Sequence, residues 1–300
     1  MHRNIKWFII FLLPIIVITT LYYTKDKPLG ERDATPVINV SKPTGEIVHE
    51  SKDFVIDLSN TQKGQILVKY MGDASKVKVQ IQKDDEIAYT YDLSTNGEYE
   101  TYPVSCGNGK YKITLNENIK DTKYRVIDTY YFEANLNDEL ETFTMPNQYV
   151  NYKNASKAVK KAQELAKTAN NDLEVIENIC KYIGDNIKYD YVKAETVNKF
   201  YIPDIDEVIK QKKGICFDYA VLSAAMIRSQ GIPCRLELGY VNDSYHAWIS
   251  VYIPKVNDDD NNYQYESNYW IKIDPTYIAS GEKGEKMLDD HSNYVTEHYY

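Results

Sequence analysis

The chain has 300 residues, 43% hydrophobic and 26% charged, enough for two ordinary domains and too apolar for wholesale disorder. The formal net charge is -9. Residues 1–35 carry five basic and three acidic groups, and the other 265 carry thirty and forty-one, a body of -11. Phosphate contacts need a basic face, so this balance argues against nucleic acid as a partner.

The first 24 residues read as a targeting segment. His2, Arg3 and Lys6 precede an uncharged run of 17 residues from Trp7 to Tyr23. That is the layout of a signal anchor or an export signal. The run is at the short end for a membrane span. Pro14 is tolerated in such helices. No small-x-small cleavage pattern follows, so the segment is read as an uncleaved anchor, with a cleaved signal as the alternative. Either way the body is expected outside the cytoplasm, at the cell membrane. Lys25, Lys27 and Arg32 lie on the far side, so flanking charge does not fix the orientation.

Residues 25–36, charged and carrying Pro28, Gly30 and Pro36, read as a linker. Residues 37–145 then read as a β-sandwich-like domain. Short strands are expected over 53–59, 65–70, 76–82, 86–91, 97–103 and 109–118. In the third, Val77, Val79 and Ile81 alternate with Lys76, Lys78 and Gln80, the pattern of a half-buried strand. Asn96-Gly97 and Gly107-Asn108-Gly109 supply turns. Strands at this spacing suggest an antiparallel sandwich.

Residues 146–300 change character. An amphipathic helix is expected over 155–169. A second is capped by Asp172, with Leu173, Ile176, Ile179, Cys180, Ile183 and Ile187 as its buried stripe. A third covers 205–212. A fourth runs from Cys216 to Gln230, with Gly231 as its cap and Pro233 beyond. Strands follow over 234–241, 245–253 and 269–273. Helices followed by strands make an α+β domain. The acidic run 257–262 lacks the ligand spacing of a calcium loop, and no metal or cofactor is expected.

The chain holds 28 Tyr against 7 Phe, which we read as composition, since Lys, Asn and Ile are frequent too. Its four Cys cannot make a disulfide scaffold, so each is weighed singly. Cys106 falls in a turn. Cys180 and Cys234 fall at core positions; a bridge between them has nothing in the sequence to support it. Cys216 differs. It follows Gly214 at the start of a helix, where the dipole favours a thiolate. His246 is central in a strand, and Asp274 ends the next. A thiol nucleophile needs a base, and the base needs an orienting carboxylate. Asp218, two residues on, suits the helix's first turn, but its charge would oppose a thiolate.

At these points the chain resembles the transglutaminase-like superfamily of papain-like thiol enzymes. The segments GICFDYA (214–220), YHAWISV (245–251) and IKIDPTY (271–277) carry its Cys, His and Asp elements in order. YIPDIDEVIKQKKGICFDYA (201–220) and AAMIRSQGIPCRLELGYV (224–241) look like secreted bacterial members. The resemblance covers about residues 150–280. It implies that Cys216 attacks an amide carbonyl to give a thioester, that His246 protonates the leaving amine, and that Asp274 orients His246. The Cys216 N–H is one expected oxyanion donor. Gln211 is a candidate for the second, against the plainer reading of an exposed polar residue. Tyr219, Tyr245 and Trp248 flank the site. The expectation is an exported acyl-transfer enzyme that cross-links, deamidates or hydrolyses a protein or peptide substrate, cell-wall peptide included. The alternative is a non-catalytic surface module that keeps the fold.

Overall fold

The computed structural model describes residues 29–198, 200–254, 269–280 and 293–300. The expected anchor and the acidic run 257–262 lie outside them. Among the described residues, no helix is long and apolar enough to cross a membrane.

Residues 29–40 have no regular structure, yet residues of this segment are bonded to later parts of the chain. The Gly30 N–H donates to Lys167 O (2.8 Å) and the Val37 N–H to Ser229 O (2.8 Å). Arg32 pairs with Asp172 (2.5 Å) and donates to Gln230 O (2.6 Å). The segment is thus pinned to helical structure far along the chain.

Eight strands follow: β1 (Val48–Glu50), β2 (Phe54–Asp57), β3 (Gln65–Tyr70), β4 (Val77–Lys83), β5 (Tyr89–Leu93), β6 (Tyr99–Pro103), β7 (Gly109–Lys120) and β8 (Lys123–Ala134). They form two antiparallel sheets, β1-β2-β3-β6 and β5-β4-β7-β8. The alternation in β4 does what its period demands: Val77, Val79 and Ile81 are buried, while Lys78, Gln80 and Gln82 are half-exposed. The strand β8 is absent from the sequence reading. It is an edge strand, mostly half-exposed, with Val126 and Tyr131 facing solvent, so no apolar alternation marks it.

The helical part begins with α1 (Lys157–Ala166) and α2 (Asp172–Asn186). Asn171 caps α2 by accepting from Glu174 N–H (3.0 Å), so the cap lies one residue before the expected Asp172. Val175, Ile176, Ile179, Cys180 and Ile183 form the buried stripe. A two-residue strand β9 (Lys188–Tyr189) leads to the short α3 (Tyr191–Thr196) and then α4 (Ile205–Gln211). Lys212 takes the left-handed conformation and turns the chain into β10 (Lys213–Gly214), parallel to β9.

The central helix is α5 (Cys216–Arg228), buried without interruption from Asp218 to Arg228. Its small residues Ala220, Ala224 and Ala225 let α1, α2 and α4 approach it, and it also packs on β11 (Cys234–Val241) and β12 (Ser244–Ile253). With β13 (Tyr269–Ile273) and β14 (Tyr294–Tyr299) these make the antiparallel sheet β13-β12-β11-β14. The short helix α6 (Pro275–Ala279) follows β13. One continuous apolar core joins both halves of the chain.

Candidate active site

The nucleophile candidate sits where the fold forces a tight corner. Gly214 closes β10, Ile215 is the extended N-cap, and Cys216 opens α5. A Cβ on Gly214 would lie 2.6 Å from the Cβ of Asp218, so the close approach permits no side chain there. Asp218 completes the corner by accepting the Ile215 N–H at 2.8 Å. Cys216 is a free, half-buried thiol on the wall of a cleft of about 690 Å³.

His246 lies near the start of β12, paired across the sheet with Gly239, and lines the same cleft. The β12–β13 ladder ends at Ile249 and Ile273, and Asp274 is the next residue. Asp274 caps α6, its Oδ1 accepting from the N–H groups of Thr276 (2.9 Å) and Tyr277 (3.2 Å). Its Oδ2 pairs with His246 Nε2 at 2.8 Å and accepts from the Tyr294 hydroxyl at 2.8 Å. The backbone bonds hold the carboxyl still, and the side-chain bonds aim it at the imidazole.

The electrostatics follow from these contacts. Burial by itself lowers the pKa of His246. Hydrogen bonds and charge from Asp274 and from the Cys216 side chain outweigh it and raise it to about 10. Burial by itself raises Asp274, and the bonds from His246, Tyr294 and the Tyr277 N–H more than reverse it. These contacts favour the protonated imidazole, in the cleft that His246 shares with Cys216. Below the ring, Trp248 stacks at 6.2 Å between centroids and donates to Glu237 (2.9 Å). Tyr294 meets the Trp248 ring edge-on at 5.0 Å.

The structure brings Cys216, His246 and Asp274 together, with Trp248 against the imidazole. Tyr245 is exposed on the rim of the cleft. Tyr219 is wholly buried and donates to Ile187 O at 2.6 Å, a core residue beneath the site. Gln211 is exposed at the end of α4, its amide donating to Glu207 (2.6 Å), and it does not line the cleft. It is not placed to serve as an oxyanion donor. Cys180 and Cys234 are free buried thiols; burial pushes Cys180 up to about 12 and raises Cys234 as well.

Three contributors carry no signal in the sequence. Tyr189 of β9, paired with Gly214 two residues before Cys216, lines the same cleft. Tyr294 buttresses Asp274 from a strand remote in sequence. Lys193 answers the charge of Asp218, with its Nζ 2.7 Å from Oδ2. Only the short β9–β10 bridge, invisible to periodicity, would have pointed to Tyr189.

Residues 159–275 match the model of the transglutaminase-like superfamily, and the chain carries a transglutaminase-like domain of mixed α and β structure. Members of that superfamily are mostly cysteine-dependent enzymes. A UPF0252 protein of Methanocaldococcus jannaschii is 34% identical over 127 residues, 38% of this chain and 33% of that protein. The chain thus spans about a third of the length of this curated relative. Among solved structures, a presumptive cysteine protease from Cytophaga hutchinsonii aligns with a TM-score of 0.40 and 16% identity over 85% of this chain and 73% of that one. The periplasmic domain of TgpA from Pseudomonas aeruginosa aligns with a TM-score of 0.35 and 12% identity over 90% and 81%.

Proposed function

We propose that the protein is a thiol acyl-transfer enzyme acting on amide bonds at the cell envelope. The observation that carries this reading is the free Cys216 thiol at the head of a buried helix, facing an imidazolium held by Asp274. The thiolate attacks the amide carbonyl carbon, and the carbonyl electron pair moves to oxygen. Collapse of that oxyanion breaks the C–N bond while His246 gives its proton to the leaving nitrogen, leaving a thioester on Cys216. An amine or water then attacks the thioester. His246 takes the incoming proton, the C–S bond breaks and the thiolate returns.

The backbone N–H of Cys216 and the hydroxyl of Tyr189, which lines the same cleft from the strand paired with Gly214, are the two donors we assign to the oxyanion. Among the described residues lining the cleft, none is Asp, Glu, Lys or Arg. That suits an uncharged amide, a Gln side chain or a peptide bond, because a cationic group entering it would lose water without gaining an anionic side chain as a partner. The apolar run 7–23 behind basic residues supports an envelope location, and protein or cell-wall peptide as substrate follows from that location.

Alkylation by iodoacetamide at about pH 6 to 7 tests the nucleophile. Wild-type Cys216 reacts far faster than free cysteine, and His246→Ala slows it by at least about a hundredfold. A rate no better than free cysteine leaves the non-catalytic module as the reading. Offering a Gln peptide with and without a primary amine then separates the reactions. An amide adduct means transfer, and a gain of about one dalton means deamidation. In Tyr189→Phe, kcat for whichever reaction occurs falls about a hundredfold, much further than the alkylation rate, since alkylation forms no oxyanion. Equal losses in both would remove Tyr189 from the oxyanion site.

A further inference from the structure

The buried carboxylate of Asp218 is used by neither the proton transfers nor the oxyanion. It has no solvent exposure and three donors from three places in the chain. The Ile215 N–H reaches Oδ2 at 2.8 Å, Lys193 Nζ reaches Oδ2 at 2.7 Å, and the Tyr201 hydroxyl reaches Oδ1 at 2.5 Å. Lys193 Nζ and the Tyr201 hydroxyl also meet each other at 2.7 Å, with the ammonium 4.1 Å from the tyrosine ring centre. The first donor belongs to the nucleophile's own corner. The other two belong to the stretch 189–201, which supplies Tyr189, Ala194, Val197, Asn198 and Tyr201 to one wall of the cleft. That wall is short helix and turn, with few buried residues of its own. Its start is held by the β9–β10 bridge, and its later part by the Asp218 bonds, by the Tyr201 ring against Phe217 and by Lys78 over the Phe200 ring.

We propose that Asp218 is a positioning residue that locks the substrate-binding wall 189–201 to the turn bearing Cys216, and that Lys193 and Tyr201 are the two ends of that lock. This rests on the reading of the cleft as a substrate site. The lock sets the width of the cleft at the nucleophile, so its loss weakens capture of an extended peptide more than it weakens the thiol. Lys193 also neutralises Asp218, so the carboxylate two residues from Cys216 does not oppose a thiolate.

The test uses the full chain and two reagents of different size. Iodoacetamide reads the thiol alone, and a neutral peptide aldehyde such as acetyl-Leu-Leu-norleucinal reads thiol and wall together. In Lys193→Met the inhibition constant of the aldehyde rises at least about tenfold more than the alkylation rate falls, the size of one bond to a buried charged group. Lys193→Arg, which keeps a charged donor, recovers most of that loss. Amide hydrogen exchange over 189–201 quickens in Lys193→Met while that of α5 does not. Tyr201→Phe, which removes one hydroxyl, carries the same comparison should Lys193→Met fold poorly. Equal changes with both reagents, or no change in aldehyde binding, or exchange that quickens in α5 as much as in the wall, would overturn the lock. A wild-type thiol no faster than free cysteine overturns instead the functional reading, and hydrogen exchange still decides whether Asp218 holds the wall.

Discussion

His246 touches two groups whose charges both favour its proton, and that fixes the pH range of the site. Its pKa stands at about 10 against an ordinary 6.5, so its contribution to stability is complete below about 6.5 and is lost as the pH rises through 10. Asp274 is held below its ordinary 3.8, so its contribution is present above that value and is lost as the pH falls toward its depressed one. Both are complete together from about pH 4 to about pH 6.5, and the His246 part declines from there to about pH 10. In Asp274→Asn the cap on α6 survives, because an amide oxygen also accepts, but the imidazolium loses its counter-charge. Burial then pulls His246 down from about 10 toward or below its ordinary range. Titration of the His246 ring by NMR measures that fall. The difference in melting temperature between Asp274→Asn and wild type should be largest between about pH 4 and 6.5, shrink as the pH rises from there, and be gone beyond about pH 10. A His246 that still titrates near 10 in the variant would remove Asp274 as its main support.

Among the elements, those whose pattern repeats were legible in the sequence and those held by a few contacts were not. The strand β4 and the stripe of α2 declare themselves because alternate or helically spaced residues are all buried on one side. The helix α5 was found by its ends, since it is buried on every side and has no stripe. Its last turn closes at Arg228 with Ser229 as cap, and Gly231 takes the left-handed conformation two residues beyond. The edge strand β8, the two-residue bridge β9–β10 and the short α3 and α6 leave no periodic signal, being too short or too exposed to repeat. The same division runs through the site. Cys216, His246 and Asp274 were readable because each sits in a motif of neighbours. Lys193, Tyr201 and Tyr294 were not, since their partners are set by folding rather than by spacing. Gln211 was misplaced for the converse reason: nearness in sequence to Cys216 did not become nearness in space, because Lys212 turns the chain after α4.

Across the whole molecule, one side chain ties the two halves together. Arg228, at the end of α5, has no solvent exposure and donates to three backbone carbonyls. They belong to Met145 (2.9 Å), between the β region and α1, to Cys234 (2.7 Å) in β11, and to Tyr300. Burial lowers the pKa of its guanidinium. With a continuous core as well, the described chain should unfold as one cooperative unit despite its two architectures. Arg228→Met removes three buried hydrogen bonds, of whose acceptors only Tyr300 O keeps another donor among the described residues, the Leu236 N–H, against the relief of one buried charge, a net loss of about 2–5 kcal/mol. Denaturant titration followed both by Trp fluorescence and by far-ultraviolet circular dichroism measures it. Two separate transitions, with only one of them shifted by the variant, would contradict the single unit.

Arg228 also has a consequence in time. A chain leaves the ribosome from its first residue to its last, so the turn bearing Cys216 emerges well before Tyr294, which steadies Asp274, and before Tyr300, whose carbonyl the buried guanidinium requires. Until then the helix carrying the thiol cannot bury its end, and the imidazole opposite has a loose carboxylate. The contacts that complete this corner of the fold therefore form only after residues 294–300 have been made.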